Sequence, residues 1–500
     1  MTLGEILQAL PASIIQRPVD VASLATEVTG IAYDSRRVRP GHLFVALRGL
    51  KDDGARFAPE AIQAGAVGVV AETPAPDGVT VPWRVVDDAR EALALSADRF
   101  FDHPSGRLTV VGITGTNGKT TTSHVLAAIF EAAGVPCGLL GTVTYRINGQ
   151  DEPATRTTPE APDLQALLRR MVAAGSRACV MEVSSHALAL KRVTGIRFAA
   201  AGFTNLTRDH LDFHGSMEAY FDAKRSLFTG LAPGVPALLN VDDPRGVSLV
   251  GVGGRAVTYA VDAAADVYPG VVEASLSGLV FDAHTPRGVV RVRSRLVGHT
   301  NVYNLLVAIG MAVELGLPTE AIERGIEALD GVPGRFELAS SPEDDVAVVV
   351  DYAHTDDALR RLLETARGLA SGRVITVFGC GGDRDRSKRP LMGLVASRLS
   401  DLTIVTSDNP RSEDAARIVE EILLGIQESA RGGEVRTVLD RHHAIHDAVS
   451  AARSGDLVLV AGKGHEKTQE HGGVTTPFDD VAVAREALAA RRVRPRVGRR

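Results

Sequence analysis

Cysteine is scarce in this chain. Its 500 residues include three, Cys137, Cys179 and Cys380. They lie far apart with no CxxC spacing, which excludes a disulfide framework or a cysteine zinc site and suits a reducing cytosol. Long apolar runs are missing as well. None approaches the ~20 residues of a membrane helix, so no membrane insertion is expected. The opening Met1-Thr-Leu-Gly-Glu-Ile6 lacks the basic-then-apolar order of a secretory signal, so the expected location is the cytoplasm. Positive charge is not in excess either. A formal charge of −6 argues against a general nucleic-acid binder, which needs a basic face.

Present instead are 45% hydrophobic and 23% charged residues, the balance of a soluble globular protein. The length exceeds what one core supports and predicts two or three domains. One stretch stands out: Gly115-Thr-Asn-Gly-Lys-Thr-Thr-Thr122 follows the β-branched run Leu108–Ile113 and precedes a helical pattern from Ser123 to Ala133. Strand, glycine turn, lysine and hydroxyl, then helix, is the order of a loop that cradles nucleotide phosphates. Its backbone N–H groups and the helix N-terminus attract a polyanion. Lys119 can reach the β/γ oxygens, and the Thr120 hydroxyl can hold Mg²⁺. The match is loose, because the usual pattern wants glycine at Ile113. A glycine-rich turn with a surface lysine is the alternative.

Three blocks follow along the chain. The first, 1–104, carries apolar runs at Leu43–Leu47 and Ala66–Ala71, a helix from Pro59 closed by Gly65, and a linker at His103–Gly106. The second, 105–336, alternates strands (Cys179–Val183, Ala199–Phe203, Ala237–Val241) with helices, predicting a mostly parallel sheet; 271–296 reads as antiparallel strands. The third, 337–490, alternates most clearly, with strands at Ala347–Asp351, Val374–Phe378, Leu402–Thr406 and Leu457–Ala461 and helices at Asp357–Ala370 and Asp414–Glu428. That is a doubly wound α/β domain, whose ligands sit at the carboxyl ends of its strands. The last ten residues, 491–500, hold six arginines and read as a disordered basic tail. Gly379-Cys-Gly-Gly-Asp-Arg384 ends in arginine where a dinucleotide fingerprint needs glycine, which argues against a nicotinamide enzyme.

Glu182 ends a buried-looking strand, where a carboxylate beside a phosphate loop is well placed for Mg²⁺. His210 sits in the Asp- and His-rich Thr204–Gly215 segment. It reads either as a metal ligand or as a histidine satisfied by a nearby carboxylate. Lys224, by spacing alone, is an ordinary solvated lysine on a helix from Ser216 to Phe228.

Gly115–Thr120, Glu182 with Ser184-Ser-His186, Asp209-His-Leu-Asp212 and Lys224 together resemble the Mur ligase family. So do Asn301-Val-Tyr-Asn304, Gly334-Arg-Phe-Glu337 and Asp351-Tyr-Ala-His-Thr355. The likeness runs in order from about Gly30 to Glu466. It is strongest to the members that add the third residue to UDP-N-acetylmuramoyl-L-alanyl-D-glutamate in peptidoglycan synthesis. The resemblance implies three α/β domains: an N-terminal UDP-binding domain, a central P-loop ATPase domain and a Rossmann-like C-terminal domain for the incoming amino acid. It implies ATP as co-substrate, Mg²⁺ as cofactor, an acyl-phosphate intermediate and a monomer.

By the same resemblance, Gly115, Thr116, Asn117, Gly118, Lys119, Thr120 and Thr121 cradle ATP, with Asn301 and Arg335 also touching the nucleotide. Thr120, Glu182 and His210 hold metal, and Lys224 is carbamylated to stabilise a second Mg²⁺. Tyr33 and Ser35 align with the uridine site, and Thr157, Thr158, Ser184 and Arg192 with contacts to the sugar–dipeptide. Arg156 stands where asparagine is expected and Leu190 where glutamine is, leaving those two contacts open. Asp356, where proline is common, reads as harmless.

The third substrate turns on Asp408-Asn409-Pro410-Arg411. Proline stiffens the turn and presents a guanidinium fork, the preferred partner of a carboxylate. Meso-diaminopimelate has a distal carboxylate, whereas L-lysine would set its own ammonium against Arg411. Arg389, Gly462 and Glu466 match the remaining contacts to diaminopimelate. A salt bridge from Arg411 to Glu413 or Asp414 is the structural alternative. The rival functions are an L-lysine-adding ligase and a folylpolyglutamate-type ligase. A bare nucleotide switch would not need the third domain.

Overall fold

The apolar run before the glycine loop becomes the Thr109–Thr114 strand, inside an eight-stranded sheet, in the computed structural model, which describes residues 1–10, 24–49, 53–429 and 433–493. Its neighbours are Phe198–Phe203 and Ala178–Glu182, both parallel to it. Pro236–Asn240 and Arg255–Tyr259 extend one side in parallel, and Cys137–Leu140 extends the other. Side-chain alternation sends Val110 and Val111 to opposite faces. Val111 and Ile113 meet Leu126, Ile129, Leu305 and Ile309, whereas Val110 meets Leu164, Leu168 and Phe228. Both faces are covered, which is why these strands read as continuous apolar runs.

A hairpin, Thr144–Ile147 with Gln150–Pro153, finishes the sheet and was not expected from the sequence. Residues 268–294 form the separate antiparallel sheet that their alternation predicts.

Four parallel strands, Gly30–Ala32, His42–Val45, Gly68–Ala71 and Trp83–Val85, make the amino-terminal sheet. The predicted linker at His103–Gly106 is instead part of a packed 3₁₀ turn, Pro104–Arg107. Pro104 and Ser105 are buried, and Ser105 Oγ accepts the Arg197 backbone N–H.

The C-terminal sheet runs Glu337–Leu338, Ala347–Asp351, Leu457–Ala461, Val374–Phe378, Leu402–Val405, Glu434–Thr437, antiparallel only at the first pair. Helices Asp356–Leu369, Lys388–Leu399 and Ala415–Gln427 pack on one face, and Arg441–Ala451 and Asp480–Val493 on the other. The molecule is thus a three-domain α/β protein.

The expected basic tail begins later than its composition implied. Arg491 and Arg492 lie in the last helix and pair with Asp345 and Asp344. The rest of that tail, 494–500, lies outside the described residues. All three cysteines are buried, and burial pushes the Cys179 and Cys380 thiols up to about 12 and Cys137 well above its ordinary value. Among the described residues no helix is long and apolar enough to cross a membrane.

Candidate active site

A cleft of about 560 Å³ opens where the central sheet meets the C-terminal domain, and the glycine loop forms its floor. The helix after the loop starts at Lys119, four residues before the expected Ser123, so its N-terminus points into the loop. Gly118 makes this possible: its φ is +88°, and a Cβ there would come within 2.2 Å of Asn304 Oδ1. Thr116 to Thr121 line one end of the cleft, and Gly115, expected with them, lies behind it.

Two lysines, Lys119 half-buried and Lys224 buried, converge on one carbonyl. Lys119 Nζ donates to Gly115 O (2.9 Å) and Thr116 O (2.8 Å), and Lys224 Nζ donates to the same Gly115 O at 2.7 Å. Lys224 is not a solvated lysine. Its helix turns it inward, 1% exposed, over the Tyr220 ring. Spacing alone could not show this, because the apolar stripe that buries it continues through a charged residue. Burial, then the nearby Lys119 charge, push the Lys224 pKa well below its ordinary value; burial lowers Lys119 too.

Beside them, Glu182 is fixed from three directions. Its Oε2 accepts from Thr120 Oγ1 (3.1 Å) and Thr142 Oγ1 (3.0 Å), and its Oε1 accepts the Thr142 N–H (2.7 Å). His210, at φ +54°, lies 3.4 Å from Asp209 and edge-on to His186. Burial, opposed by Asp209, pushes it down to about 4, so the ring is neutral at physiological pH. A hydroxyl, a carboxylate and a neutral imidazole thus line the same cleft.

Arg335 reaches into the same end from just before the C-terminal domain. It donates to Thr120 Oγ1 (3.3 Å) and covers the Tyr352 ring at 4.6 Å. Asn301, which bonds Val297 O and Asn304, lines another wall.

Thr157 and Ser184 also line the cleft. Thr158 Oγ1 donates to Glu182 O (2.8 Å), and Arg192 donates to Thr158 O and pairs with Glu160. Arg156 shares that Glu160, so the unexpected cation has a carboxylate to meet. Leu190 is the C-cap of the Ser185–Ala189 helix. Tyr33 lies in a second hollow with Arg37 and Asp163, its hydroxyl donating to Asp163 at 2.6 Å. Ser35 is buried against Glu60.

At the far domain the carboxyl ends of four strands gather Asp351, the Gly379–Asp383 loop, the Asp408–Arg411 turn and the Gly462–Glu466 loop. Arg411, at φ +54°, donates to Gly382 O (2.6 Å) and lies 3.7 Å from Glu470. It pairs with neither Glu413 nor Asp414, so the alternative considered from the sequence is replaced. Glu413 belongs to Arg389, which is fully buried beneath the turn, paired with Glu413 and Glu421 and donating to Gly381 O. The two arginines thus grip adjacent carbonyls of one glycine loop. Asn409 Nδ2 donates to Glu466 Oε2 (2.8 Å), and Asp408 Oδ1 accepts the Asn409 N–H. Pro410 is buried between them, and Gly462 holds φ +116° beside Asp408.

Sequence reasoning missed Lys463. This fully buried ammonium donates to Asn409 Oδ1, Glu466 Oε2 and Thr468 O, tying the turn to the loop. Its signal was a lysine between two glycines of positive φ, Gly462 and Gly464. Asp356 was also underestimated. It accepts from Arg208 at 2.9 Å, joining the segment that carries His210 to the C-terminal domain.

Residues 27–101 match the Mur ligase family catalytic domain, 113–312 the Mur ligase middle domain, and 334–464 the Mur ligase glutamate ligase domain. The UDP-N-acetylmuramoyl-L-alanyl-D-glutamate–2,6-diaminopimelate ligase of Solibacter usitatus is 48% identical, over 98% of both chains. The chain belongs to the Mur ligase family. The corresponding ligase of Gloeobacter violaceus is 48% identical over 94% of this chain and 95% of its own. A solved structure of a UDP-N-acetylmuramoyl-L-alanyl-D-glutamate–2,6-diaminopimelate ligase superposes with a TM-score of 0.69 at 33% identity, covering 98% of this chain and all of that one. As a Mur ligase, the protein is an ATP-dependent acid–amino-acid ligase, and its cleft lies between the glycine loop and the C-terminal domain.

Proposed function

We propose that this Mur ligase joins meso-diaminopimelate to UDP-N-acetylmuramoyl-L-alanyl-D-glutamate in peptidoglycan synthesis, in the cytoplasm and as a single chain. The observation that carries the choice of amino acid is the Asp408–Arg411 turn. It sets the Arg411 guanidinium at a strand's carboxyl end, two residues from the Asn409–Glu466 bond. Arg411's pairing with half-exposed Glu470 is long, and such pairs are weak in water. A distal carboxylate can therefore take its fork, while Glu466 accepts the neighbouring ammonium. Lys463 holds Glu466 from behind; Arg389, which with Gly462 the resemblance assigns to the same amino acid, grips the glycine loop beside Arg411.

The first step brings two anions together. The free carboxylate of the UDP-linked dipeptide attacks the γ-phosphorus of ATP, giving an acyl phosphate and ADP. Lys119 and Arg335 offset the repulsion, and the loop N–H groups hold the β/γ oxygens. Thr120, Glu182, His210 and carbamylated Lys224 would hold Mg²⁺, which supplies charge neutralisation when bound. Burial lowers the Lys224 pKa and so favours the unprotonated amine, the form able to add carbon dioxide. In the second step the amine of the amino acid attacks the acyl carbon, phosphate leaves, and an amide forms. Tyr33 and Ser35 serve the uridine, and Thr157, Thr158, Ser184 and Arg192 the sugar–dipeptide. Closure of the C-terminal domain keeps water from the acyl phosphate.

The deciding experiment is phosphate release with ATP and UDP-N-acetylmuramoyl-L-alanyl-D-glutamate, comparing meso-diaminopimelate with L-lysine. Diaminopimelate is expected to be the better acceptor. Preference for lysine overturns the role of Arg411, and no tripeptide from either overturns the proposal.

A further inference from the structure

Away from the cleft, the back face of the C-terminal sheet carries His442 and His446 on the Arg441–Ala451 helix, facing Glu486 on the Asp480–Val493 helix. The i,i+4 spacing places both imidazoles on one helix face. Their rings stack at 4.5 Å. His442 Nε2 lies 3.3 Å and His446 Nε2 3.7 Å from the two Glu486 oxygens, and one ligand atom from each of the three residues falls within 4.8 Å of the others. His446 Nε2 is shut off from solvent and has no hydrogen-bond partner, so a buried ring nitrogen is aimed at the carboxylate and left unsatisfied. The neighbouring His443 points elsewhere, toward Asp440. Nothing in the ligation chemistry uses these residues.

We propose that His442, His446 and Glu486 form a site for one divalent transition-metal ion, clamping the last helix to its neighbour. Two imidazoles to a single carboxylate suit Zn²⁺, Co²⁺ or Ni²⁺ better than Mg²⁺, whose sites are dominated by oxygen. Ligand atoms around a tetrahedral Zn²⁺ stand about 3.3 Å apart; the two nitrogen–oxygen separations, 3.3 and 3.7 Å, are already close to that. The fourth position faces solvent, because the Glu486 side chain is 62% exposed. Such an ion would close the remaining gap between two helices already joined by the fully buried Arg441–Asp480 pair.

The test titrates Zn²⁺ into the chelator-treated full-length enzyme against a chromophoric chelator, with saturating Mg²⁺ present. Because Zn²⁺ can also bind the cleft histidines, the readout is the difference between proteins. Wild type is expected to bind one equivalent more than His446→Ala and one more than Glu486→Gln, and its melting temperature to rise with Zn²⁺ where theirs does not. Glu486→Gln changes an exposed group and leaves the fold intact, so a folding defect in His446→Ala would not blur the result. Equal stoichiometry and an equal melting response in wild type and Glu486→Gln would overturn the site. Ligation activity of Glu486→Gln is expected to match wild type without added Zn²⁺.

Discussion

The central cleft and the C-terminal domain both bury cations, and they treat them in opposite ways. Among the described residues, Lys119 and Lys224 have no carboxylate partner; they share a backbone carbonyl and the cost of desolvation. In the C-terminal domain, Arg389 has Glu413 and Glu421, Arg441 has Asp480, and Lys463 has Glu466. The lesson is that one region is built around charge a substrate must balance, whereas the other is complete by itself. Positive charge in the cleft serves reaction at the expense of stability; the buried, paired cations of the far domain serve architecture.

The sharpest break of that contrast is Asp480→Asn. It leaves a fully buried guanidinium without its counter-ion, and the expected loss is about 3–5 kcal/mol, read by urea unfolding of the C-terminal domain. Next, Lys119→Met and Lys224→Met are expected to lower ligation by roughly 10²–10³-fold, the scale of losing one preorganised charge at a transition state. Both variants should melt no lower than wild type. Bicarbonate should not restore Lys224→Ala.

The pH dependence has a definite sign. Folding lowers the Lys224 pKa, so between that lowered value and 10.5 the unfolded chain holds the additional proton and stability rises with pH. Lys224→Met is expected to flatten the rise, and an unchanged slope would show the lysine to be hydrated after all. Third, Arg411→Ala should raise the KM for diaminopimelate about 10–100-fold, the worth of a charge-assisted hydrogen bond, with the KM for ATP unmoved. The smallest effect is expected at the domain junction. Asp356→Ala removes a partly exposed pair with Arg208 and should change stability by less than ~1 kcal/mol.

Most of the architecture was legible because parallel strands buried on both faces write themselves as apolar runs, as Val374–Phe378 and Leu457–Ala461 do. The Gln150–Pro153 strand was not, because this edge strand is almost wholly polar and alternates nothing. The glycine loop was legible because its chemistry is local: glycine, lysine and hydroxyl sit within eight residues. Lys463 and Asp356 were not, since their meaning depends on what lies opposite, 54 and 148 positions away in the chain. Lys224 shows the same limit. The pattern of its helix gave the stripe, but only packing against Gly115 gave the burial.

The seclusion of the three thiols has a practical use. Cys137, Cys179 and Cys380 are out of solvent and strongly disposed to stay protonated, so maleimide dyes should pass them by. One new cysteine on an exposed position of the amino-terminal sheet and another on the C-terminal helix layer would then carry a fluorophore pair without first stripping the native ones. Energy transfer between them would time the closing of the ligase, turnover by turnover, in otherwise unaltered enzyme.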